Sequence, residues 1–500
     1  MRLRRIPLII SVLSILAFFY DIGFDHKIDE SNIMEMLYTI SVSIGILSIT
    51  GAYLFKDSRP RLEVVPFEIG LIVFLLLIVL QHSNIGFLHT IPLFKHTYWL
   101  YIAIFVVFIR EFSAFSIILK RTVLNPSQLF IASFLTIIII GGFLLMLPNA
   151  THKGISLINS MFTSTSAVCV TGLVVVDTGS YFTEFGQIII VILIQLGGIG
   201  IMTFASYFSY FFRGVSSYEN QLVLGEMTNT EKMGEVFSIL KNIILVTFLI
   251  ESIGAILIYQ SLDVKVIQSV SERIFFSVFH SISGFCNAGF STLHNSFYES
   301  PYRFNYPFLI IIAVLIILGG LGFPIVFNLL KYLHVKIKSF ILSVFRIKHN
   351  LYTPWLININ TRIVLVTSLI LTVFGTLMFF VFEYDNSLSN HTFIGKIITA
   401  FFQSVTTRTA GFNSVDTSTL TINSVLIILF LMWVGASPGS TGGGIKTSSL
   451  ALAVLNIISI AKGKTRLEVY KREISQTSTN RAFAIIILSI VVISVLLLMH

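Results

Sequence analysis

Residues Ser166–Leu173 read SAVCVTGL, a run of small and β-branched residues that closes on a glycine inside a chain built mostly of long apolar stretches. Two later segments align with it on that glycine, SISGFCNAGF with Gly289 and VTTRTAGF with Gly411. Gly172, Gly289 and Gly411 are spaced roughly 120 residues apart, and a fixed period of this kind marks a repeat architecture. The residues further on match as well: QLGGIGI at 195–201, ILGGLGF at 317–323 and WVGASPG at 433–439. Each unit is therefore an apolar span, a shorter segment with a polar glycine-containing end, and a second apolar span.

Composition says where such units live. The 500 residues are 55% hydrophobic and 11% charged, whereas soluble domains carry about 25% charged residues. Apolar runs of about 20 residues, enough to cross a bilayer as helix, recur from end to end, so the first is not read as a cleaved signal. Runs of that length make helices rather than a β-barrel. The expected fold class is an all-α polytopic membrane protein of repeated helix–pore-loop–helix units. Four further spans precede the repeats, near residues 6–20, 34–55, 66–82 and 98–119. Arg110 and Glu111 in the fourth read as an interface pair reaching towards water; a voltage sensor would need several spaced arginines on one helix.

The net charge of +9 does not point to nucleic acid, because the basic residues fall in alternate loops. They cluster at Arg2, Arg4 and Arg5, at Lys56, Arg59 and Arg61, and at Lys120 and Arg121. Later clusters are Lys331, Lys336 and Lys338, then Lys462, Lys464, Arg466, Lys471 and Arg472. Placing every basic loop on one side puts the N-terminus in the cytoplasm. The short segments then lie on the outer side as re-entrant backbone, tolerated in a membrane only where it is buried in protein or lines a water-filled cavity. Cys169 and Cys286 form no disulfide framework and no CxxC pattern.

A cation crossing a bilayer needs its hydration shell replaced, and backbone carbonyls do this without burying a fixed charge. Extended backbone with small or β-branched side chains turned away, and a glycine where other residues are excluded, suits the task. VCVTG, FCNAG and TRTAG fit, and no acidic ring lines them, so nothing suggests divalent selectivity. Arg408 occupies the position of Cys169 and Cys286, three before the glycine; it is expected to point behind the loop, since in the pore it would repel cations. The two cysteines are expected on neighbouring walls of one narrow site.

The second span of the third unit is interrupted by GASPGSTGGGIKTSS at 435–449. Pro438 and the glycines cannot continue a helix without cost. The stretch resembles a phosphate-binding loop only superficially, because Ile445 separates Gly444 from Lys446 and no strand precedes it. A plug beneath the filter is favoured, with Lys446 near the cytoplasmic half of the cavity. Glu251 is the one carboxylate well inside an apolar repeat span, and two readings stand open for it, a functional charge or a hydrogen bond to a neighbouring helix.

The loops SAVCVTGL, SGFCNAGFS and TTRTAGFNSVD, with SPGSTGGGIKT, resemble the Trk/Ktr/HKT superfamily of potassium transporters, most nearly its bacterial TrkH and KtrB membrane subunits, over about residues 123–500. The resemblance implies four helix–pore-loop–helix units in a pseudo-fourfold array around one pore. It implies a homodimer in the bacterial inner membrane and a cytoplasmic nucleotide-binding regulatory subunit of TrkA/KtrA type. Carried over by position, the ion-binding residues would be Cys169, Val170, Thr171 and Gly172; Cys286, Asn287, Ala288 and Gly289; and Arg408, Thr409, Ala410 and Gly411. The gate would comprise Ala436, Ser437, Pro438, Gly439, Ser440, Thr441, Gly442, Gly443, Gly444, Ile445 and Lys446. Potassium would be the substrate, with no covalent cofactor.

The implied layout is N-terminal helices over 1–122, repeats over 123–215, 216–340 with a preceding cytoplasmic linker, and 341–465, and the start of a fourth at 466–500. Four spans before the repeats exceed the usual number for the family. The remainder of the fourth unit is expected past His500, its glycine roughly 115–125 residues after Gly411 by the period of the repeat. The leading function is a potassium-conducting transport subunit. An ion-coupled potassium/sodium symporter is the near alternative, and a polytopic membrane enzyme the alternative from another class; no His/Asp or His/Glu cluster supports the latter within the spans.

Overall fold

The structure is a computed structural model describing residues 6–24, 28–54, 65–82, 96–116, 126–200, 236–344, 357–464, 466–470 and 472–499. The basic clusters at 2–5, 56–61 and 120–121, Lys471 and the linker at 216–235 lie outside the described residues. Four helices come first: α1 (Ile6–Gly23), α2 (Ile28–Leu54), α3 (Val65–His82) and α4 (Tyr98–Ser116). They have a core of their own, in which Tyr38, Val42, Leu75, Leu100 and Ile104 are buried. They join the repeats through the end of α1, where Asn149 Nδ2 donates to the Ile22 carbonyl at 3.1 Å. Arg110 and Glu111 do not both reach towards water: they pair at 2.7 Å with Glu111 buried. Ser48 of α2 lies against the guanidinium at 3.5 Å, so the neighbouring helix covers the pair.

The first unit is α5 (Pro126–Leu145), the pore helix α6 (Leu157–Val168), a single turn α7 (Thr178–Tyr181) and the second span α8 (Glu184–Ile199). The second is α9 (Val236–Ser261), the pore helix α10 (Val270–Phe285) and α11 (Tyr306–Leu321), followed by α12 (Phe323–Val344). The third is α13 (Ile359–Glu383), the pore helix α14 (Phe393–Thr406) and a second span in two pieces, α15 (Ile422–Trp433) and α16 (Thr447–Ala461). A two-residue antiparallel pair, Glu468–Val469 with Arg472–Glu473, precedes α17 (Gln476–Leu498). Among the described residues α1, α13 and α17 and the stretches Ser31–Gly51 of α2 and Lys241–Ser261 of α9 are long and apolar enough to cross a membrane. Leu369, Ile370, Leu377 and Val381 stand exposed along α13, a surface whose natural solvent is lipid.

Every pore helix begins on a hydroxyl cap, because the first turn leaves backbone N–H groups without helical partners. Ser156, Ser269 and Thr392 accept from the N–H of Asn159, Glu272 and Gly395. A second hydroxyl then ties each pore helix to the span before it. Ser164 donates to the Ile138 carbonyl at 2.7 Å, Ser281 to that of Glu251 at 2.7 Å and Ser404 to that of Thr372 at 2.8 Å. One turn further along each span stands a glycine, Gly141, Gly254 or Gly375, and a Cβ on any of the three would run into the same hydroxyl. Small residues here bring the two backbones together, as at helix crossings in membranes generally. Gly254→Leu should therefore lower the thermal midpoint of the solubilised protein, at a cost of about 2 kcal/mol for overpacking. A midpoint equal to that of the unaltered protein would contradict the contact.

Candidate functional site: the loops between the pore helices and the second spans

The first two loops leave their pore helices in the same way. Cys169 and Cys286 cap the helices, and the next residues, Val170 (φ 55°) and Asn287 (φ 58°), turn left-handed. Thr171 N–H then reaches back to the Ser166 carbonyl and Ala288 N–H to that of Ser283, both at 2.8 Å. The third loop is wound differently: its helix ends at Thr406, whose carbonyl accepts from the N–H groups of both Ala410 (2.9 Å) and Gly411 (3.0 Å). All three loops converge on a glycine with positive φ, 78° at Gly172, 72° at Gly289 and 82° at Gly411.

The loops lean on one another in order. A Cβ on Gly172 would stand 2.5 Å from the Ala288 carbonyl oxygen, and one on Gly289 would overlap that of Ala410. Around Gly411 the corresponding space is open. The Asn287 amide lies 2.8 Å from the Thr409 hydroxyl, tying the second loop to the third; with the amide nitrogen turned to the carbonyls of Gly284 and Ile316, its oxygen accepts from Thr409. No donor among the described residues reaches the backbone carbonyl oxygens of Cys169–Gly172, Cys286–Gly289 or Arg408–Gly411. Arg408 turns its guanidinium behind the loop, where Nη2 donates to Thr372 Oγ1 at 2.9 Å and Nη1 to the Ser368 carbonyl at 3.4 Å.

Beyond the three glycines opens a cavity of about 330 Å³. The residue five places after each glycine lines it: Asp177, His294 and Asp416. His294 Nδ1 stands 3.3 Å from Asp177 Oδ2. Asp416 is held below the ordinary carboxyl range by the Ser418 hydroxyl and backbone N–H, so its negative charge persists through mild acidification.

On the other side of the loops lies the interrupted span. From Gly435 to Lys446 the chain folds back on itself, with Ala436 N–H on the Gly443 carbonyl at 3.1 Å and Thr447 N–H on the Ala436 carbonyl at 3.2 Å. Ser437 N–H bonds the Gly320 carbonyl at 3.0 Å, Ser437 Oγ bonds that of Leu321, and Phe323 N–H bonds that of Gly439 at 3.2 Å, all at the end of α11. Thr441 Oγ1 lies 3.4 Å from the Phe285 carbonyl at the end of the second pore helix, and Gly442 abuts the Thr409 side chain. Lys446 Nζ donates to the Gly442 carbonyl at 2.7 Å, so the ammonium is engaged by the loop that it closes. Sequence reasoning assigned a break to the third unit alone. The second spans of the first two units also stop at the matched place, α8 at Gly200 (φ 83°) and α11 at Gly322 (φ 82°).

Cation transport is also what comparison with known proteins returns. The TrkH family, described as cation transport protein, matches residues 91–500. The chain belongs to the TrkH family. It is 34% identical over 391 residues to the potassium/sodium uptake protein NtpJ of Enterococcus hirae, covering 76% of this chain and 81% of that one. It is 32% identical over 382 residues to the Ktr system potassium uptake protein B of Bacillus subtilis, covering 75% and 80%. The potassium transporter TrkH of Vibrio parahaemolyticus shares the fold, with a TM-score of 0.53, 16% identity and coverage of 91% of this chain and 81% of that one. Members of the family are transporters rather than enzymes.

Two features of this TrkH-family site escaped the reading of the sequence. The hydroxyl-to-carbonyl bonds behind the pore helices were signalled only by a Ser in each pore segment and a Gly in each first span. The cysteines, though equivalent in sequence, do not share one narrow site. Cys286 is buried against Glu251 and Gly198, whereas Cys169 is exposed. A membrane-permeant maleimide applied to the native protein should accordingly add one label, abolished by Cys169→Ser. Labelling that persists in that variant would place Cys286 within reach.

Proposed function

We propose that this chain is the ion-conducting subunit of a potassium-uptake system in the bacterial inner membrane, with Cys169–Gly172, Cys286–Gly289 and Arg408–Gly411 as three walls of its selectivity filter. The observation that carries the reading is the set of loop carbonyls for which no described donor is a partner. Backbone carbonyls inside a protein are nearly always paired, and a dehydrated monovalent cation is the partner that a converging group of them suits. The carboxylates at the mouth, Asp177 and Asp416, favour entry of cations through their field. Of the relatives, one is named a potassium/sodium uptake protein and the other a potassium uptake protein, which favours potassium as the ion.

Ala436–Lys446 is read as the gate, because it packs under the second and third loops, on the Phe285 carbonyl and the Thr409 side chain. The N-terminus is cytoplasmic in this reading. The exposed turn around Glu468–Glu473 then faces the same side as a TrkA/KtrA-type nucleotide-binding partner. The reading includes a homodimer and that partner, supported by the likeness to a protein of a Ktr system.

Uptake in a host lacking its own potassium transporters tests the filter. Gly289→Ser should reduce the preference for potassium over sodium by at least about tenfold, since its side chain would enter the Ala410 carbonyl. Unchanged potassium kinetics in Gly172→Ser, Gly289→Ser and Gly411→Ser together would remove the assignment. The gate is tested by deleting Gly442 and Gly443. Basal flux per molecule in the membrane should rise, whereas flux falling in step with abundance would make the segment structural only.

A further inference from the structure

One position recurs behind each loop, and the side chains found there differ in charge. Three residues before the glycines stand Cys169, Cys286 and Arg408; the first-span residues whose carbonyls receive the pore-helix serines are Ile138, Glu251 and Thr372. In the second unit these two positions meet, the Cys286 thiol 3.8 Å from Glu251 Oε1. In the third they meet again, through Arg408 Nη2 and Thr372 Oγ1. Glu251 is 4% exposed, and Gln195 Nε2 donates to both of its oxygens at 3.1 and 3.0 Å. Its side-chain partners are the Gln195 amide and the Cys286 thiol, both able to donate to a carboxylate. Arg408 has only neutral oxygens as partners, and among the described residues no carboxylate lies within ion-pair distance of it.

With Glu251 ionised, the second loop is backed by an anion, the third by a cation and the first by neither. An unpaired buried charge is costly, but two opposite charges behind adjacent walls of one ring offset each other's field at the centre. The guanidinium also stands at the C-terminal end of α14, where the helix dipole favours a cation.

We propose that Glu251 and Arg408 are opposed charges that set the cation affinity of the filter from behind its backbone, neither touching the ion. The inference rests on the filter reading above. The carboxylate strengthens binding at Cys286–Gly289, the guanidinium weakens it at Arg408–Gly411, and the affinity reflects their difference.

The test is the KM for potassium uptake, with Vmax normalised to protein in the membrane. E251Q should raise KM roughly three- to tenfold and R408Q should lower it by a similar factor, as expected for a unit charge near the ion at an intermediate dielectric. E251D, which keeps the charge, should fall nearer the unaltered protein than E251Q does. E251Q combined with R408Q should return KM to within about twofold, as opposed fields require. A packing role would lower Vmax without moving KM in opposite directions. Shifts of the same sign, or an unmoved KM in E251Q, overturn the proposal. Should R408Q fail to reach the membrane, E251Q and E251D decide alone, since the amide replaces the carboxylate at nearly equal size. The glycine variants separate this proposal from its foundation: lost potassium preference in Gly289→Ser with an unmoved E251Q refutes only the charge pair, whereas preference retained in Gly172→Ser, Gly289→Ser and Gly411→Ser together refutes the filter.

Discussion

Inside a bilayer a backbone carbonyl has no water to bond, so it must be paired within the protein or face a polar path. In the proposed reading the rest of this structure is organised around three loops whose carbonyls meet no donor among the described residues. Holding such loops in place takes a rigid frame, because relaxed loops would satisfy their own backbone. The frame here is the hydroxyl of Ser164, Ser281 or Ser404 bonded to the carbonyl of the preceding span, with a glycine beside it that lets the helices touch. Above the frame, each loop rests on the next, Gly172 on the Ala288 carbonyl and Gly289 on that of Ala410. Displacing one loop therefore displaces its neighbour.

The same contacts connect the loops to the segment beneath them. Residues 435–446 do not hang free in the broken span; they are bonded to the end of α11 through Ser437 and to the end of the second pore helix through Thr441. Gly442 lies against Thr409 of the third loop, and Thr409 is in turn held by Asn287 of the second. A movement of the segment must break bonds to α11 and free space under two loops together. In the proposed reading this couples opening to the region that selects the ion, without requiring the filter itself to unfold. The second spans of the first two units end on Gly200 and Gly322, so a helix end near this place is common to all three units.

Much of this was legible along the chain because membranes make sequence periodic. Long apolar runs and alternating basic loops follow from the thickness and asymmetry of a bilayer, so the span class and the repeat could be read without any neighbour. The loop glycines were legible because positive φ leaves few other residues tolerable. Hidden were features that depend on which helix stands beside which. Nothing along the sequence distinguishes Ser281, bonded across 30 residues to Glu251, from the other hydroxyls of its pore helix. Cys169 and Cys286 share a register, yet only Cys286 is enclosed, by Gly198 of another unit and by Glu251 of its own.

The sequence by itself determined the class of fold, the threefold repetition and the position of each re-entrant loop, since these depend on local hydrophobicity and local backbone freedom. Only the tertiary structure decided how the loops abut and where Arg408 and Glu251 direct their charges. It also decided that Arg110 pairs with a buried Glu111, with Ser48 of α2 against the guanidinium. The physical reason is one of range. Hydropathy and φ are properties of a few consecutive residues, whereas the fate of a buried charge or an unpaired carbonyl is set by groups that packing alone brings within about 3 Å.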